Sequence, residues 1–227
     1  MPALLSGNTL KILAAVFMTI DHIGVILFPQ VTILRIIGRL ALPIFAFMIA
    51  EGCKYTRNRK KYFGMVFGLG VICQIVYFLF DGSMYLSILI TFSLSILTIY
   101  AMQDLRKKNN TFSGVVFLCT VFAVWLLNLF FEIDYGFWGC MLPVFAALTH
   151  GTRYDSIPVN VTLLGLGLLA LSLDLGGIQI FSLLTLPLLY GYSGKRGTGN
   201  LKYFFYIFYP VHLAVLQGIA ELIYLLN

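Results

Sequence analysis

The chain is a series of apolar segments separated by short polar loops. A helix needs roughly 20 apolar residues to cross the hydrocarbon core of a bilayer, and most of these segments are close to that length. We predict about nine membrane-spanning helices, and eight to ten when the short sixth to eighth segments are allowed to be tilted or re-entrant. The predicted spans are 10–28, 31–50, 62–80, 84–101, 112–131, 136–149, 158–173, 178–190 and 203–226.

Composition supports this pattern. The 227 residues are 60% hydrophobic and 11% charged, whereas a soluble domain carries roughly 25% charged residues. Nine helices would use about 180 residues at the usual length of a span, which leaves no room for a globular domain. We therefore expect an all-α, polytopic transmembrane helical bundle that forms a single domain over residues 1–227. The four cysteines show no paired spacing, so we expect neither a disulfide framework nor a metal site.

Basic residues follow the loops in a regular way. Twelve of the 15 Lys and Arg residues lie in alternate loops, and the intervening loops contain Asp and Glu but no Lys or Arg. By the positive-inside rule the basic loops are cytoplasmic, which predicts a cytoplasmic N-terminus. Topology thus explains the net charge of +6. A nucleic-acid-binding protein would show basic residues interleaved with aromatic residues on one surface, and the sequence has no such pattern. The first span is not expected to be a cleaved signal peptide, because Asp21 and His22 interrupt it.

Ionisable residues inside predicted spans usually face the interior of a bundle and mark function. The first span contains Asp21 and His22, and the second contains Arg35 and Arg39, which share a helix face because they are four residues apart. The helical rise places His22 and Arg39 about 12 Å below the outer face of the membrane. We predict a polar layer in the outer half of the bundle, joined by Gln74 at a similar depth and by His212 near the midplane.

Three interpretations of this layer are open. A neutral imidazole can remove a proton from an amine or hydroxyl, a carboxylate can orient it, and arginine can stabilise an oxyanion, so the layer suits group transfer to a nucleophile. The same residues suit a proton relay in a small-solute or proton-coupled transporter, although no internal repeat is visible. In a structural scaffold, Asp21 and Arg39 would form an ion pair, and the histidines would be packing residues.

Other features are less specific. Pro43 and Pro210 predict kinks, and the second would bring a freed carbonyl beside His212, next to Tyr209. Glu51 ends the second span beside a basic loop and either pairs with that loop or contacts substrate. The basic loops either bind a phosphorylated donor or anionic lipid, or only set topology. The residues concerned are Arg57, Arg59, Lys60, Lys61, Lys195 and Arg196.

Four blocks of sequence, taken in order, resemble the TraX family, whose founding member acetylates conjugative pilin. The first block comprises residues 10–15 and 18–24, the latter reading MTIDHIG, and the second comprises residues 34–47 with 50–52 and 56–59. The third is Asp134-Tyr135-Gly136, and the fourth runs from residues 194–197 to 202–213. More loosely, a histidine in the first span and a Tyr-Pro-x-His sequence in the last are similar to membrane acyltransferases that modify surface glycans.

The resemblance implies an acetyl-CoA-dependent acyltransferase of the bacterial plasma membrane, acting on an amine or hydroxyl of a pilin-like protein or envelope glycan. His22 would be the base, oriented by Asp21, and His212 a second acid, base or binding residue. Arg35 and Arg39 would hold the acyl carbonyl or shape the site. The implied catalytic residues are Asp21, His22, Arg39 and His212, the implied substrate-binding residues are Arg35, Glu51, Gln74 and Tyr209, and the six basic loop residues would receive the phosphates of acetyl-CoA.

Overall fold

The computed structural model describes residues 4–82, 85–199 and 201–226. In this part of the chain every regular element is a helix, and the only β-type pairings are two isolated bridges. Each of the nine predicted apolar segments contains a helix. The α-helices are α1 (Gly7–Ile26), α2 (Thr32–Gly38), α3 (Ala41–Tyr55), α4 (Arg59–Asp81), α5 (Ile88–Lys108), α6 (Thr111–Phe130), α7 (Gly136–Ala147), α8 (Ile157–Leu175), α9 (Leu186–Tyr190) and α10 (Lys202–Leu226), and a 3-10 helix (Gly177–Thr185) lies between α8 and α9.

Several of these helices have the length and composition of membrane spans, which makes the chain a multi-pass membrane protein. Within the described residues six segments qualify, and the apolar helices Gly136–Ala147 and Gly177–Tyr190 are shorter. The figure of about nine spans and the cytoplasmic N-terminus stay predictions. The six are Gly7–Ile26, Thr32–Tyr55, Ile88–Lys108, Thr111–Phe130, Ile157–Leu175 and Ile207–Leu226.

The helices form two compact units. Unit 1 comprises Met1–Phe45 and Leu175–Asn227, and unit 2 comprises Ala46–Asp174. In unit 1, α1 packs against α2 and α10, and the 3-10 helix packs against α2 and α9. In unit 2, α5 is the central helix and packs against α4, α6 and α7.

The start of α1 is held by the glycine-rich loop that precedes α10. Backbone N–H groups of Gly7 and Asn8 donate to the carbonyls of Lys195 and Arg196 at 2.8 Å. The Asn8 side chain donates to the carbonyls of Thr198 and Gly199 at 2.9 and 3.1 Å. The two backbone contacts satisfy donors that the first turn of a helix leaves without intrahelical partners, and all four contacts fix the loop against the start of α1.

A break in the second predicted span positions Arg39. The sequence predicted one helix with a kink at Pro43, but α2 ends at Gly38 and α3 begins at Ala41. Pro43 has no N–H to donate to the Arg39 carbonyl, and its ring clashes with a carbonyl four residues earlier, so the interruption falls at residues 39–40. The Thr185 hydroxyl donates to the Leu40 carbonyl at 3.2 Å, which gives one exposed backbone acceptor at the break a partner.

Candidate functional site

A carboxylate held by two arginines forms the first part of the site, in unit 1. Arg35 Nη1 donates to Asp21 Oδ2 at 2.9 Å, and Arg39 Nη2 donates to Oδ1 and Oδ2 at 2.9 and 3.0 Å. The side chains of Asp21 and Arg39 are only 14% and 11% exposed. The ion pair between Asp21 and Arg39 that the scaffold interpretation predicts is therefore present, and Arg35, one helical turn earlier, shares it.

Two glycines allow α1 and α2 to approach closely enough for this contact. A Cβ atom at Gly38 would lie 2.1 Å from Asp21 Oδ1, and a Cβ atom at Gly24 would lie 2.9 Å from the Cβ of Leu34. Both distances are shorter than the contacts that Cβ atoms make in folded proteins. The Gly-x-x-x-Gly type of helix contact in membranes depends on small residues in the same way, so Gly38 reserves the space that Asp21 occupies.

The 3-10 helix adds a further partner for Arg39. Arg39 Nη1 donates to Gln179 Oε1 at 3.3 Å, and Gln179 is 3% exposed. Sequence reasoning did not select Gln179, because the segment around it was treated as a short apolar span. The signal was present: Gln179, Ser182 and Thr185 recur every three residues, the period of a 3-10 helix.

Two histidines from distant parts of the chain form the second part of the site. Nδ1 of His22 lies 2.9 Å from Nε2 of His212, with ring centroids 5.0 Å apart. Nδ1 of His212 lies 2.9 Å from the Phe208 carbonyl, one turn earlier on α10. The Phe208 ring stacks on His212 at 4.9 Å, and the Tyr209 ring meets it edge-on at 5.6 Å. His212 is thus fixed in position by its own helix.

The hydrogen bonds define the tautomers when both rings are neutral. A carbonyl only accepts, so His212 carries its proton on Nδ1 and presents Nε2 as an acceptor. His22 must then donate from Nδ1. The one ring nitrogen of the two histidines that keeps a lone pair not engaged in these bonds is His22 Nε2. Among the described residues no hydrogen bond involves that atom. His22 Nε2 is therefore the position from which a proton can be taken up.

This geometry corrects one implied role. Asp21 was expected to orient His22, but its carboxylate is bonded to Arg35 and Arg39, and the residue that orients His22 is His212. The physical reason is the helical rotation of about 100° between consecutive residues, which directs Asp21 towards α2 and His22 towards α10. The contacts of Tyr209 with His212 agree with its expected place beside the site.

Glu51 and Gln74 belong to unit 2 and have partners there. Gln74 Oε1 accepts from the backbone N–H of Ser87 at 3.3 Å, at the start of α5. Glu51 Oε1 lies 3.7 Å from His150 Nε2, and both residues are buried. A separation of 3.7 Å is too long for a hydrogen bond, so this is an electrostatic contact between neighbouring polar groups.

His150 lies in the loop before α8 and is surrounded by charged residues from α3, from α5 and from the same loop. Lys54 Nζ pairs with Asp155 Oδ1 at 2.9 Å, and Arg106 donates to the His150 carbonyl at 3.1 Å. Burial first, and then the charges of Lys54 and Arg106, lower the pKa of His150 to about 4, against an opposing effect of Asp155. The ring is therefore neutral at neutral pH, and its contact with Glu51 is not an ion pair. Burial alone would raise the pKa of Asp155, but hydrogen bonds from Lys54, Gly151 and Asn160 lower it overall.

The basic loop residues fall into two groups. Arg59 is held against α5: it donates to Asp104 at 2.5 Å and to Gln103 at 2.8 Å, and its guanidinium lies over the ring of Tyr100 at 4.9 Å. The other side chains are exposed, and in the 195–199 loop backbone carbonyls contact α1. The exposed group comprises Arg57, Lys60, Lys61, Lys195 and Arg196.

A family model described as TraX protein matches residues 6–220. The chain belongs to the TraX family. This family member is 29% identical over 239 aligned residues to the probable fimbrial assembly protein FimC, serogroup H1, of Dichelobacter nodosus, a match that covers 93% of the chain and 94% of that protein. It is 34% identical over 130 residues to an uncharacterized protein of Rickettsia prowazekii (strain Madrid E), which covers 57% of the chain and 50% of that protein. No solved structure matches the TraX-family chain.

Proposed function

We propose that this TraX-family protein is a membrane acetyltransferase that moves the acetyl group of cytoplasmic acetyl-CoA to an amine or hydroxyl of a pilin-like protein or an envelope glycan. The observation that carries the proposal is the contact of His22 Nδ1 with His212 Nε2 at 2.9 Å, in which the Phe208 carbonyl fixes the His212 ring. A histidine held in one tautomer by a second group is the arrangement that activates a nucleophile in acyl transfer.

The chemistry follows from the tautomers. His22 Nε2 takes the proton of the acceptor amine or hydroxyl as that atom attacks the acetyl carbonyl carbon. His212 Nε2 accepts the hydrogen bond of His22 Nδ1 throughout, so it stabilises the imidazolium that forms. Collapse of the tetrahedral intermediate breaks the carbon–sulfur bond, and the departing CoA thiolate takes the proton back from His22. The arginine pair on Asp21 supplies positive charge near the developing oxyanion.

The exposed basic side chains suit the phosphates of acetyl-CoA. Arg57 precedes α4 and Lys60 and Lys61 lie in its first turn, whereas Lys195 and Arg196 precede α10; none of these five side chains is buried, and each of the two groups is a separate candidate site for phosphate. Arginine and lysine are the usual partners of phosphate groups. With these loops on the cytoplasmic side, the N-terminus is cytoplasmic, and the membrane is the inner membrane of a bacterium.

The class of acceptor is suggested by a relative. The Dichelobacter nodosus protein that aligns with most of this chain is named a probable fimbrial assembly protein. Fimbriae are polymers of pilin, so a pilin-like protein is the first acceptor to test, and an envelope glycan is the second.

The proposal is tested with purified protein in nanodiscs, radiolabelled acetyl-CoA, and candidate pilins and glycans as acceptors. The variants are His22→Gln, His212→Gln and, as a matched control, His150→Gln, which makes the same change in unit 2. We expect the first to lower the rate by about 10²–10⁴-fold, the usual contribution of a general base, and the control to retain activity.

A second arm addresses the donor. Replacing Arg57, Lys60 and Lys61 together by Gln should weaken acetyl-CoA binding in calorimetry, whereas Arg59→Gln alone should have a small effect because Arg59 is engaged by Asp104. Folded wild-type protein that neither binds acetyl-CoA nor labels any acceptor would reject the acetyltransferase proposal. Full activity of His22→Gln would remove His22 from the chemistry.

A further inference from the structure

The 3-10 helix Gly177–Thr185 has an inverted pattern of polarity. Its polar side chains point inwards: Gln179, Ser182 and Thr185 are 3%, 0% and 0% exposed. Its apolar side chains point outwards, and Ile180 and Leu184 are 44% and 62% exposed. A 3-10 helix has three residues per turn, so the three polar residues form one continuous stripe. In a membrane protein the outward apolar face suits lipid, and a polar face turned inwards lines an interior site.

The stripe lies against the break between α2 and α3. Gln179 Oε1 accepts from Arg39 Nη1, and the Thr185 hydroxyl donates to the Leu40 carbonyl. The first and last members of the stripe are therefore fixed by residues 39 and 40. Because Arg39 also bonds to Asp21, which precedes His22, one guanidinium connects the stripe to the helix that carries the base.

Two donors of the stripe have no partner among the described residues. They are Nε2 of Gln179 and the hydroxyl of Ser182, and both atoms are buried. The orientation of the Gln179 amide is fixed, since an arginine only donates and must face the amide oxygen. The N–H groups of Gln179 must then point away from Arg39. Buried polar groups are normally paired, so these two donors, which share one face of the 3-10 helix, are available to a ligand oxygen.

We propose that Gln179 and Ser182 bind the carbonyl oxygen of the transferred acetyl group, an inference that rests on the proposed acetyltransferase function. As the acceptor atom bonds to the carbonyl carbon, the π electron pair moves onto the oxygen. That oxygen receives hydrogen bonds from Gln179 Nε2 and the Ser182 hydroxyl, while His22 holds the acceptor proton. When the carbonyl re-forms, the carbon–sulfur bond breaks, CoA leaves as the thiol with that proton, and the acetylated acceptor is released.

The decisive variants separate support of Arg39 from donation to the ligand. Gln179→Glu keeps an oxygen for Arg39 but has no N–H to donate, and Gln179→Met has neither. Ser182→Ala removes the second donor. The matched control is Ser172→Ala in α8, which deletes another buried hydroxyl without a partner among the described residues, but in unit 2. Thr185→Val removes the hydrogen bond to the Leu40 carbonyl and so tests how much that bond stabilises the folded protein.

We expect Gln179→Glu and Gln179→Met to lower kcat by about 10²-fold, as the loss of one oxyanion donor does, with little change in KM for acetyl-CoA. Ser182→Ala should lower kcat by about tenfold, the loss of one neutral hydrogen bond. Ser172→Ala should keep the kcat of the folded protein. Wild-type kcat in Gln179→Glu would overturn the inference, because Gln179 would then only support Arg39.

A second readout does not depend on turnover. The probe is a ¹³C-labelled ketone analogue of acetyl-CoA in which CH₂ replaces the sulfur, and the measurement is its carbonyl stretching frequency when bound. Hydrogen bonding should lower this frequency in wild-type protein, and Gln179→Met and Ser182→Ala should each restore part of the shift. An unshifted carbonyl in wild-type protein with measurable turnover would overturn the inference alone, whereas absence of turnover with every acceptor would remove the proposed function as well.

Discussion

Gly38 marks the closest approach of α2 to Asp21, and adding a single methyl group there tests how tightly the site is built. In Gly38→Ala the new Cβ would lie 2.1 Å from Oδ1, 2.3 Å from Cβ and 2.5 Å from Cγ of Asp21. An ordinary contact needs about 3.4 Å or more, so Asp21 or α2 must move by about 1 Å. A shift of this size takes the 2.9 Å contacts with Arg35 and Arg39 out of hydrogen-bonding range.

The expected cost has two parts and one offset. Overpacking costs about 1–3 kcal/mol, and leaving a buried charge without its partner costs up to about 3–5 kcal/mol. Alanine is favoured over glycine in a helix interior by about 1 kcal/mol, and the offset is smaller at Gly38, the last residue of α2; relaxation relieves part of the rest. We expect a net destabilisation of about 2–4 kcal/mol, which lowers Tm by about 4–16 °C for a chain of this size.

The assay is a thermal melt of the helical signal in far-ultraviolet circular dichroism. Both tryptophans and all four cysteines lie between residues 46 and 174, so fluorescence and thiol probes report on unit 2. The matched control is Gly218→Ala in α10, where a Cβ meets nothing within 4 Å, and it should melt at or slightly above the wild-type temperature. A Gly38→Ala melt within 1 °C of wild type would refute the close-packing argument.

Two further measurements test other contacts. Burial lowers the pKa of His150 to about 4. Between pH 6.5 and 4 the unfolded chain therefore takes up a proton that the folded chain does not. The free energy of unfolding should fall by up to about 3 kcal/mol as the pH falls through this window. His150→Phe should flatten that pH dependence in tryptophan-detected unfolding, while the neighbouring charged residues Glu51, Lys54, Arg106 and Asp155 are present in both proteins. A flat profile for the wild-type protein would contradict the prediction. Asn8→Ala removes two hydrogen bonds to the 198–199 carbonyls, so trypsin should cut after residues 195 and 196 several times faster than in wild type, with Asn110→Ala, a helix cap in unit 2, leaving that rate unchanged.

The sequence predicted the helices well because apolar segments of membrane length leave little choice of structure. Each predicted segment contains a helix, and depth estimates placed Asp21, His22 and Arg39 in one layer. Depth along a helix does not define rotation about its axis, however. For that reason the pairing of His22 with His212 and of Asp21 with both arginines became visible only in three dimensions.

Other features depend on contacts between distant residues. The break at residues 39–40 follows from Pro43, but its place is one turn before the proline because the lost donor and the steric clash both act on the Arg39 carbonyl. Gln179 was missed because a three-residue repeat of polar groups in an apolar segment is hard to distinguish from chance. His150 was missed because it lies in a loop, and its surroundings come from α3, α5 and the residues just before α8.

The hydrogen bonds between the start of α1 and the loop before α10 also constrain how many times the chain crosses the membrane. Leu5 and Tyr192 form a parallel bridge, and Ser193 donates to the Leu5 carbonyl at 2.8 Å. Residues in such contact lie on the same side of a bilayer whose core is about 30 Å thick. The number of crossings between them is therefore even. A change in topology between residues 5 and 192 must add or remove spans in pairs, and α1 and α10 begin on the same surface of the membrane and point in the same direction across it.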